Sequence, residues 1–428
     1  MTLVTRKLCT SVFFLAVTTL LTTPISLFAQ TILKAKPESV GMSTAGFDRL
    51  TSILDQYVKD GKLAGGVAMV VRRGKVAYTR AFGQRDREAN SPMKEDTIFR
   101  IASQSKALTS VGVMILQEEG RLLISDPVGK YLPEFANTTV AVPKDGGGYD
   151  VVKAKRQITI RDLLTHTAGI SYGNGPAKDQ WDAAKINGWY FADRDEPVGA
   201  TISRMGALPM DAHPGEKYVY GYSTDILGAM IEKVSGQPLD QFLTSRIIEP
   251  LKMTDTSFYL PESKVDRLAA VYSAKASGIE RAPDPGVGVG QGAYIKGPRK
   301  SFSGGAGLLS TASDYARFLL MLQNGGTLEG KRILGRKSVE LMTTDHLRGL
   351  AFRDGQGFGL GFSVTKDVGT FGAPSSVGEY GWGGAYHSVY WVDPKEQMVV
   401  VYFTQLIPAG NIDDHGKLRA LVYQSIID

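Results

Sequence analysis

The sequence predicts an α+β protein: an antiparallel sheet built from both ends of the chain, flanked by helices in an α/β sandwich, with a mostly helical domain inserted between. Three observations predict this. A β-rich pair of runs lies near the start, "GGVAMVVRRGKVAYTRAFGQ", with a hairpin signal at Arg73-Gly74. A second pair, "HSVYWVDPKEQMVVVYFTQ", closes the chain around the turn Asp393-Pro394-Lys395-Glu396. Between them, from roughly 120 to 290, helical and loop-like patterns dominate.

The elements follow in order. "STAGFDRLTSILDQYVKDGK" is a helix with Ser43 as its N-cap, and Phe47, Leu50, Leu54 and Val58 share one face. After the first hairpin, "ALTSVGVMILQEEGRL" is an apolar helix ending near Gly120. "TIRDLLTHTAG" is a short helix stopped by Gly169, and "STDILGAMIEKVSG" and "PLDQFLTSRIIEPL" are two more. The glycine-rich stretch 282–298 has no phosphate-loop pattern and is a loop. "SDYARFLLMLQNGG" is a helix, and a last helix covers about 413–426. The sheet part is therefore about 30–105 and 300–428, and the helical part about 106–299. No internal repeat is visible.

Composition bounds the function. The chain has 428 residues, with 43% hydrophobic and 21% charged, which are ordinary globular values and allow a substantial core. The formal charge is +6, but the basic residues are scattered as solvated surface, which argues against nucleic acid as a partner. Arg6 and Lys7 precede an apolar run from about Leu8 to Leu21 and then "TTPISLFAQ". This predicts a secretory leader over 1–29, cleaved after Ala29, and hence a bacterial protein in the periplasm or outside the cell. No later segment is apolar enough to span a membrane. The one cysteine, Cys9, lies in the leader. The remaining chain then has no disulfide, no zinc–thiolate site and no cysteine nucleophile.

The chemistry-bearing stretch is "RIASQSKALTS" (100–110). Ser103 and Lys106 are three residues apart, which on a helix places both on one face, one turn apart. Ser105 faces elsewhere, and Ser110 points along a buried helix. A serine hydroxyl is a weak nucleophile until a base takes its proton. A lysine can be that base when burial or a nearby cation favours the free amine. Ile101, Ala102, Ala107 and Leu108 give this lysine apolar surroundings. Ser-x-x-Lys alone is a short and common pattern.

Its context is more specific. The chain from about 40 to 410 resembles the serine β-lactamase-like family: class C β-lactamases, D-alanyl-D-alanine carboxypeptidases and related esterases. The blocks that carry the resemblance are "FRIASQSKALTSVGVMILQEEGRLLISDPVGKYLPEF", "ITIRDLLTHTAGI", "PGEKYVYGYSTDILGAMIEKVSGQPL", "SGGAGLLSTASDYARFLLML" and "GWGGAYHSVYWVDPKEQMVVVYFTQ", in family order. The resemblance implies a β-lactamase/transpeptidase-like fold, Ser103 as nucleophile and Lys106 as its base. It implies a proton-relaying tyrosine in the block "PGEKYVYGYSTDILG". The register six residues after the proline selects Tyr220, with Tyr222 as its rival and a further substrate contact. The asparagine of the β-lactamase Tyr-x-Asn motif is absent there. A literal match, Tyr172-Gly173-Asn174, stands in a different block and is set aside. Where β-lactamases carry Lys-Thr-Gly, this chain has Trp382-Gly383-Gly384, as the esterase members do. A tryptophan offers an apolar wall in place of a cation for a carboxylate, which points to neutral esters or amides. The resemblance places the oxyanion donors at the backbone N–H groups of Ser103 and Ala385.

Other motifs compete poorly. "GISYG" (169–173) matches the nucleophile elbow, but a helix rather than a strand precedes Ser171. The five histidines show no metal-ligand spacing, so no metal is expected, nor any other cofactor. His166 reads as a hydrogen-bonding residue at a helix end. His387, two residues past Ala385, is in reach of the pocket. The expected activity is hydrolysis of carboxylic esters through an acyl-enzyme on Ser103. The alternatives are β-lactam or D-alanyl-D-alanine peptide cleavage, acyl transfer to an alcohol or, outside catalysis, a silent binding protein on the same scaffold. Physiological substrate and oligomeric state are not legible.

Overall fold

The first hairpin forms where the turn residues place it. Arg73 and Gly74 both take positive φ, 51° and 73°, as a two-residue turn between antiparallel strands requires. The strands are β1 (Gly65–Arg72) and β2 (Lys75–Asp86), with the short edge strand β3 (Ser91–Pro92) beside them in the computed structural model. That model describes residues 1–2 and 32–428, so the secretory leader expected over 1–29 lies outside the described residues apart from its first two. The C-terminal part adds β4 (Gln356–Phe358), β5 (Ser363–Thr365), β6 (Tyr380–Gly384), β7 (Ser388–Asp393) and β8 (Met398–Phe403). All eight strands form one sheet in the order β4-β5-β6-β7-β8-β1-β2-β3, and each neighbouring pair is antiparallel. The two chain ends therefore meet at the centre, where β1 pairs with β8 from Val67↔Phe403 to Arg72↔Met398.

Both faces of that centre are covered, which explains why β8 reads as the unbroken apolar run "MVVVYF". One face packs Ala68, Val70, Val400 and Tyr402 against helix α1 (Thr44–Lys59), through Phe47, Leu50 and Leu54. The closing helix α6 (Asp414–Tyr423) joins it with Leu418 and Val422. Ser43 caps α1 by accepting the Gly46 N–H, as its sequence position predicts. The other face, with Val67, Met69, Val399, Val401 and Phe403, belongs to the larger core shared with the inserted part. That core includes α2 (Ser105–Glu118), α4 (Ser223–Ser235) and α5 (Ala312–Gln323). Helix α4 stops at Gly236, which takes φ 76°.

The inserted part departs from expectation in two places. Two hairpins appear within it, Thr139–Pro143 with Tyr149–Lys153 and Tyr272–Lys275 with Gly278–Arg281. They are short and half-exposed, so they lack the apolar alternation that announces a strand. The helix expected to run to Gly169 is α3 (Ile160–Leu164), opened by a capping box between Thr159 and Asp162. It ends early because His166 turns into the left-handed region at φ 55°, followed by Gly169 at 80°. Among the described residues no helix is long and apolar enough to cross a membrane.

Candidate active site

The nucleophile candidate sits in the turn before a helix. Ala102–Gln104 is a single 3₁₀ turn, and α2 starts at Ser105. Ala102, directly before Ser103, is held at φ 42°. A non-glycine residue there is strained, and the surrounding structure must enforce it. The consequence is that Ser103 stands at the floor of an open cleft while its neighbours are buried. Ser105 accepts the Leu308 N–H with its hydroxyl and is wholly buried, and Ser110 is buried along α2. Of the three serines, only Ser103 lines the cleft.

Lys106 lies one turn into α2, only 2% exposed. Its ammonium has three acceptors: Gly305 O at 2.7 Å, Tyr172 OH at 3.1 Å and Ser103 Oγ at 3.3 Å. Three N–H groups with three acceptors satisfy a cation that burial would otherwise penalise heavily. The Gly305 carbonyl is itself held in place. The buried Asp225 carboxylate accepts from the Gly305 N–H at 3.1 Å and from Ser303 Oγ at 2.6 Å. Burial raises the Asp225 pKa, against the opposing pull of Lys106. A Cβ on Gly305 would come within 2.4 Å of that carboxylate, so glycine is required there.

Two tyrosines complete this cluster. Tyr172 accepts from the Lys106 ammonium through its hydroxyl, its ring centroid lies 5.9 Å from Nζ, and burial pushes its pKa well above the usual phenol range. The sequence had set this residue aside because its block was wrong, and the left-handed turn after α3 is what brings it back over α2. Tyr220 lies on the other side, its ring 4.7 Å from Lys106 Nζ. Its hydroxyl accepts from Trp382 Nε1 at 3.1 Å. Tyr222, offered by the sequence as rival and substrate contact, is corrected. It is fully buried, packs on Trp181 and Phe191, and donates its hydroxyl to the Gly188 carbonyl away from the cleft. Ser171 is also buried, accepting the Gly173 N–H within its own loop.

Strand β6 forms the opposite wall. Its pairing with β5 covers only Tyr380 and Gly381, which leaves Trp382-Gly383-Gly384 as a free edge along the cleft. Gly384 is pressed against the nucleophile turn, since a Cβ there would lie 2.5 Å from Ile101 O. Among the described residues, no hydrogen bond of the following turn uses the Ala385 N–H, and Ala385 lines the cleft beside Ser103. The whole cleft holds about 620 Å³. Its rim includes Trp189 and Arg353, neither of which the sequence singled out.

Comparison with known proteins identifies the family. The family model described as Beta-lactamase matches residues 50–423. The chain belongs to the beta-lactamase family. Within this family it is 32% identical over 378 residues to Esterase EstB of Burkholderia gladioli, covering 85% of this chain and 91% of the esterase. Among solved structures, EstCE1, a hydrolase with promiscuous acyltransferase activity, superposes with a TM-score of 0.76 at 28% identity, covering 89% of this chain and 98% of that one. Simvastatin synthase (LovD) of Aspergillus terreus shares the fold, with a TM-score of 0.75 at 24% identity over 88% of this chain and 98% of its own. The family's α+β architecture and the family itself were thus both legible in the sequence blocks.

One further cluster in this beta-lactamase-family protein was not legible. His387 lines the cleft, as expected, from a left-handed backbone at φ 62°. Its Nε2 meets Asp414 Oδ1 at 2.7 Å, and its ring stacks on His415 with centroids 4.0 Å apart and planes 12° from parallel. Asp414 also accepts from Tyr402 OH at 2.8 Å and from the His415 N–H at 2.9 Å. Burial, helped by the neighbouring His387, lowers the His415 pKa to about 4. Donor atoms of His387, Asp414 and His415 lie within 4.8 Å of one another. Stacked imidazoles, however, send their lone pairs along near-parallel planes that do not converge on one ion, so this geometry suits a hydrogen-bonded stack rather than chelation. His166 is buried at the end of α3 against Tyr220, at 4.7 Å between centroids, and burial lowers its pKa well below the usual imidazole range. Its Nδ1 has no hydrogen-bond partner among the described residues.

Proposed function

We propose that this protein hydrolyses carboxylic esters through an acyl-enzyme on Ser103. The observation that carries this reading is the contact of Ser103 Oγ with the buried Lys106 ammonium, at the floor of a cleft whose opposite wall is Trp382, Gly383 and Gly384. In its amine form Lys106 takes the hydroxyl proton as Oγ attacks the ester carbonyl. The N–H groups of Ser103 and Ala385 receive the negative charge on the carbonyl oxygen. The tetrahedral intermediate expels the alcohol, which leaves with a proton relayed through Tyr220, and Ser103 is acylated. Water then repeats the sequence, releasing the carboxylic acid and restoring the serine hydroxyl. Tyr172 holds Lys106 in register for both halves. The leader supports export, with the protein acting in the periplasm or outside the cell.

The similarity to EstCE1 supports a second acceptor for the same acyl-enzyme, an alcohol in place of water. Trp382 stands where β-lactamases carry a lysine, so a lactam or peptide carboxylate would have to find its cation elsewhere in the cleft.

The test is turnover of short p-nitrophenyl esters. Ser103→Ala is expected to abolish it, and Ser171→Ala to leave it intact. Full activity in Ser103→Ala would refute the mechanism. Nitrocefin turnover faster than ester turnover would move the assignment to lactams, and transesterified product with added alcohols would establish acyl transfer.

A further inference from the structure

Among the described residues at the rim of the cleft, Arg353 is a cation with no paired carboxylate. It lies in the loop before β4, and its guanidinium is 4.7 Å from the Trp382 ring centroid and 5.2 Å from that of Phe352. Those two rings are themselves close to parallel, 17° apart with centroids at 6.4 Å. An exposed arginine normally samples many rotamers, and two aromatic faces restrict it, so the cation is positioned before any ligand arrives. Trp382 is fixed in turn by its bond to Tyr220, whose ring lies over Lys106 beside Ser103. A continuous run of contacts thus links the guanidinium to the nucleophile, with the width of one indole between Arg353 and Tyr220.

The other ionisable groups of the cleft have partners. Arg419 is paired with Glu379 at 2.8 Å, and His387 is bonded to Asp414 at 2.7 Å. Among the described residues the Arg353 guanidinium has no hydrogen bond and no ion pair, and the adjoining Asp354 does not reach it. All five guanidinium donors are available to a group that enters the cleft. A planar fork of donors fits a carboxylate better than any neutral ester terminus.

We infer that Arg353 is a specificity-determining residue that selects esters carrying a carboxylate a few bonds from the scissile carbonyl. This rests on the ester reading of Ser103 and narrows it, replacing the neutral substrates that the tryptophan alone suggests. A cation at a partly solvated rim is expected to give a preference of about five- to tenfold.

Two matched pairs test this. Mono-p-nitrophenyl adipate against its methyl ester places the charge on the acyl side, and 4-carboxyphenyl against 4-(methoxycarbonyl)phenyl butyrate places it on the leaving group. The quantity read is the anionic-to-neutral ratio of kcat/KM. In one pair at least, Arg353→Gln should lower that ratio about five- to tenfold, Arg353→Lys should restore part of it, and high salt should compress it in the wild type and in Arg353→Lys but not in Arg353→Gln. Ratios within twofold of wild type in both pairs would overturn the inference. Binding of adipate to Ser103→Ala, followed by tryptophan fluorescence, separates the two readings. If no ester is turned over but adipate binds and Arg353→Gln abolishes binding, the ester reading fails and the Arg353 assignment stands. If esters are turned over and neither the ratios nor the binding depend on Arg353, the assignment alone fails.

Discussion

Gly384→Ala should separate the two walls of the cleft by a distance the structure fixes. The added Cβ would sit 2.5 Å from Ile101 O, where ordinary contact begins at 3.4 Å, so about 0.9 Å of movement is needed. Neither partner can yield by rotating a side chain, because the obstacle is backbone. Ile101 is tied by its own N–H to Leu308 O at 3.1 Å, and it leads into the strained Ala102. The free edge of β6 is the part that can move, and it carries the Ala385 N–H with it. A displacement near 1 Å in a reacting constellation costs on the order of 10²-fold, and loss of one oxyanion donor roughly 10²–10³-fold. We therefore expect Gly384→Ala to lower kcat by about two orders of magnitude, with KM changed far less, because the donor acts on charge that develops only in the transition state. Gly383→Ala is the comparison: its Cβ would meet only Ser388 O, at 3.1 Å, and a shift of a few tenths of an ångström relieves it. Stopped-flow release of p-nitrophenol reads acylation directly, with a thermal melt as the check on folding. A folded Gly384→Ala protein within threefold of wild-type kcat would refute the assignment of Ala385 to the oxyanion.

The two tyrosines should separate in the same assay. Tyr220→Phe is expected to lower kcat by about 10²-fold or more, the size of a lost proton relay. Tyr172→Phe removes one of three acceptors from Lys106 and should cost about tenfold. The reverse order would make Tyr172 the relay. The stacked histidines predict a pH-dependent stability. His415 has a folded pKa of about 4 against about 6.5 unfolded, so the unfolded chain binds the extra proton between those values. Its contribution is complete above pH 6.5 and is lost as pH falls toward 4. Between pH 7.5 and pH 5 the wild type should lose about 2 kcal/mol more than His415→Gln in urea denaturation. Equal losses would show that His415 does not titrate as its burial implies.

What the sequence disclosed and what it withheld divide along physical lines. Turn chemistry and periodicity are local, so Arg73-Gly74 and the Ser43 cap were legible one by one. Ser103 and Lys106 were legible because one helical turn relates them. Tyr172 was not, because its place over Lys106 depends on two left-handed residues, His166 and Gly169, only one of which is a glycine. Tyr222 misled for the opposite reason: it stands two residues from Tyr220, yet it is turned into the core against Trp181. The partnership of His387 with Asp414 spans 27 positions and exists only because α6 packs behind the hairpin of β6 and β7. Arg353 carries no motif at all, and its significance comes from which rings it lies on and which carboxylates fail to reach it.

These residues suggest how one cleft separates chemistry from selection. The reacting groups hang on rigid supports: a strained turn, a buried helix start and a carboxylate that fixes the Gly305 carbonyl. The group proposed to select, Arg353, is exposed at the rim and lies on a loop where exchange costs the core little. Trp382 belongs to both sets, since its indole N–H holds Tyr220 while its face carries the Arg353 cation. A substitution at Trp382 should therefore disturb rate and preference together, whereas one at Arg353 should change preference. That difference follows from the single hydrogen bond between Trp382 and Tyr220, which couples the selecting face to the reacting one.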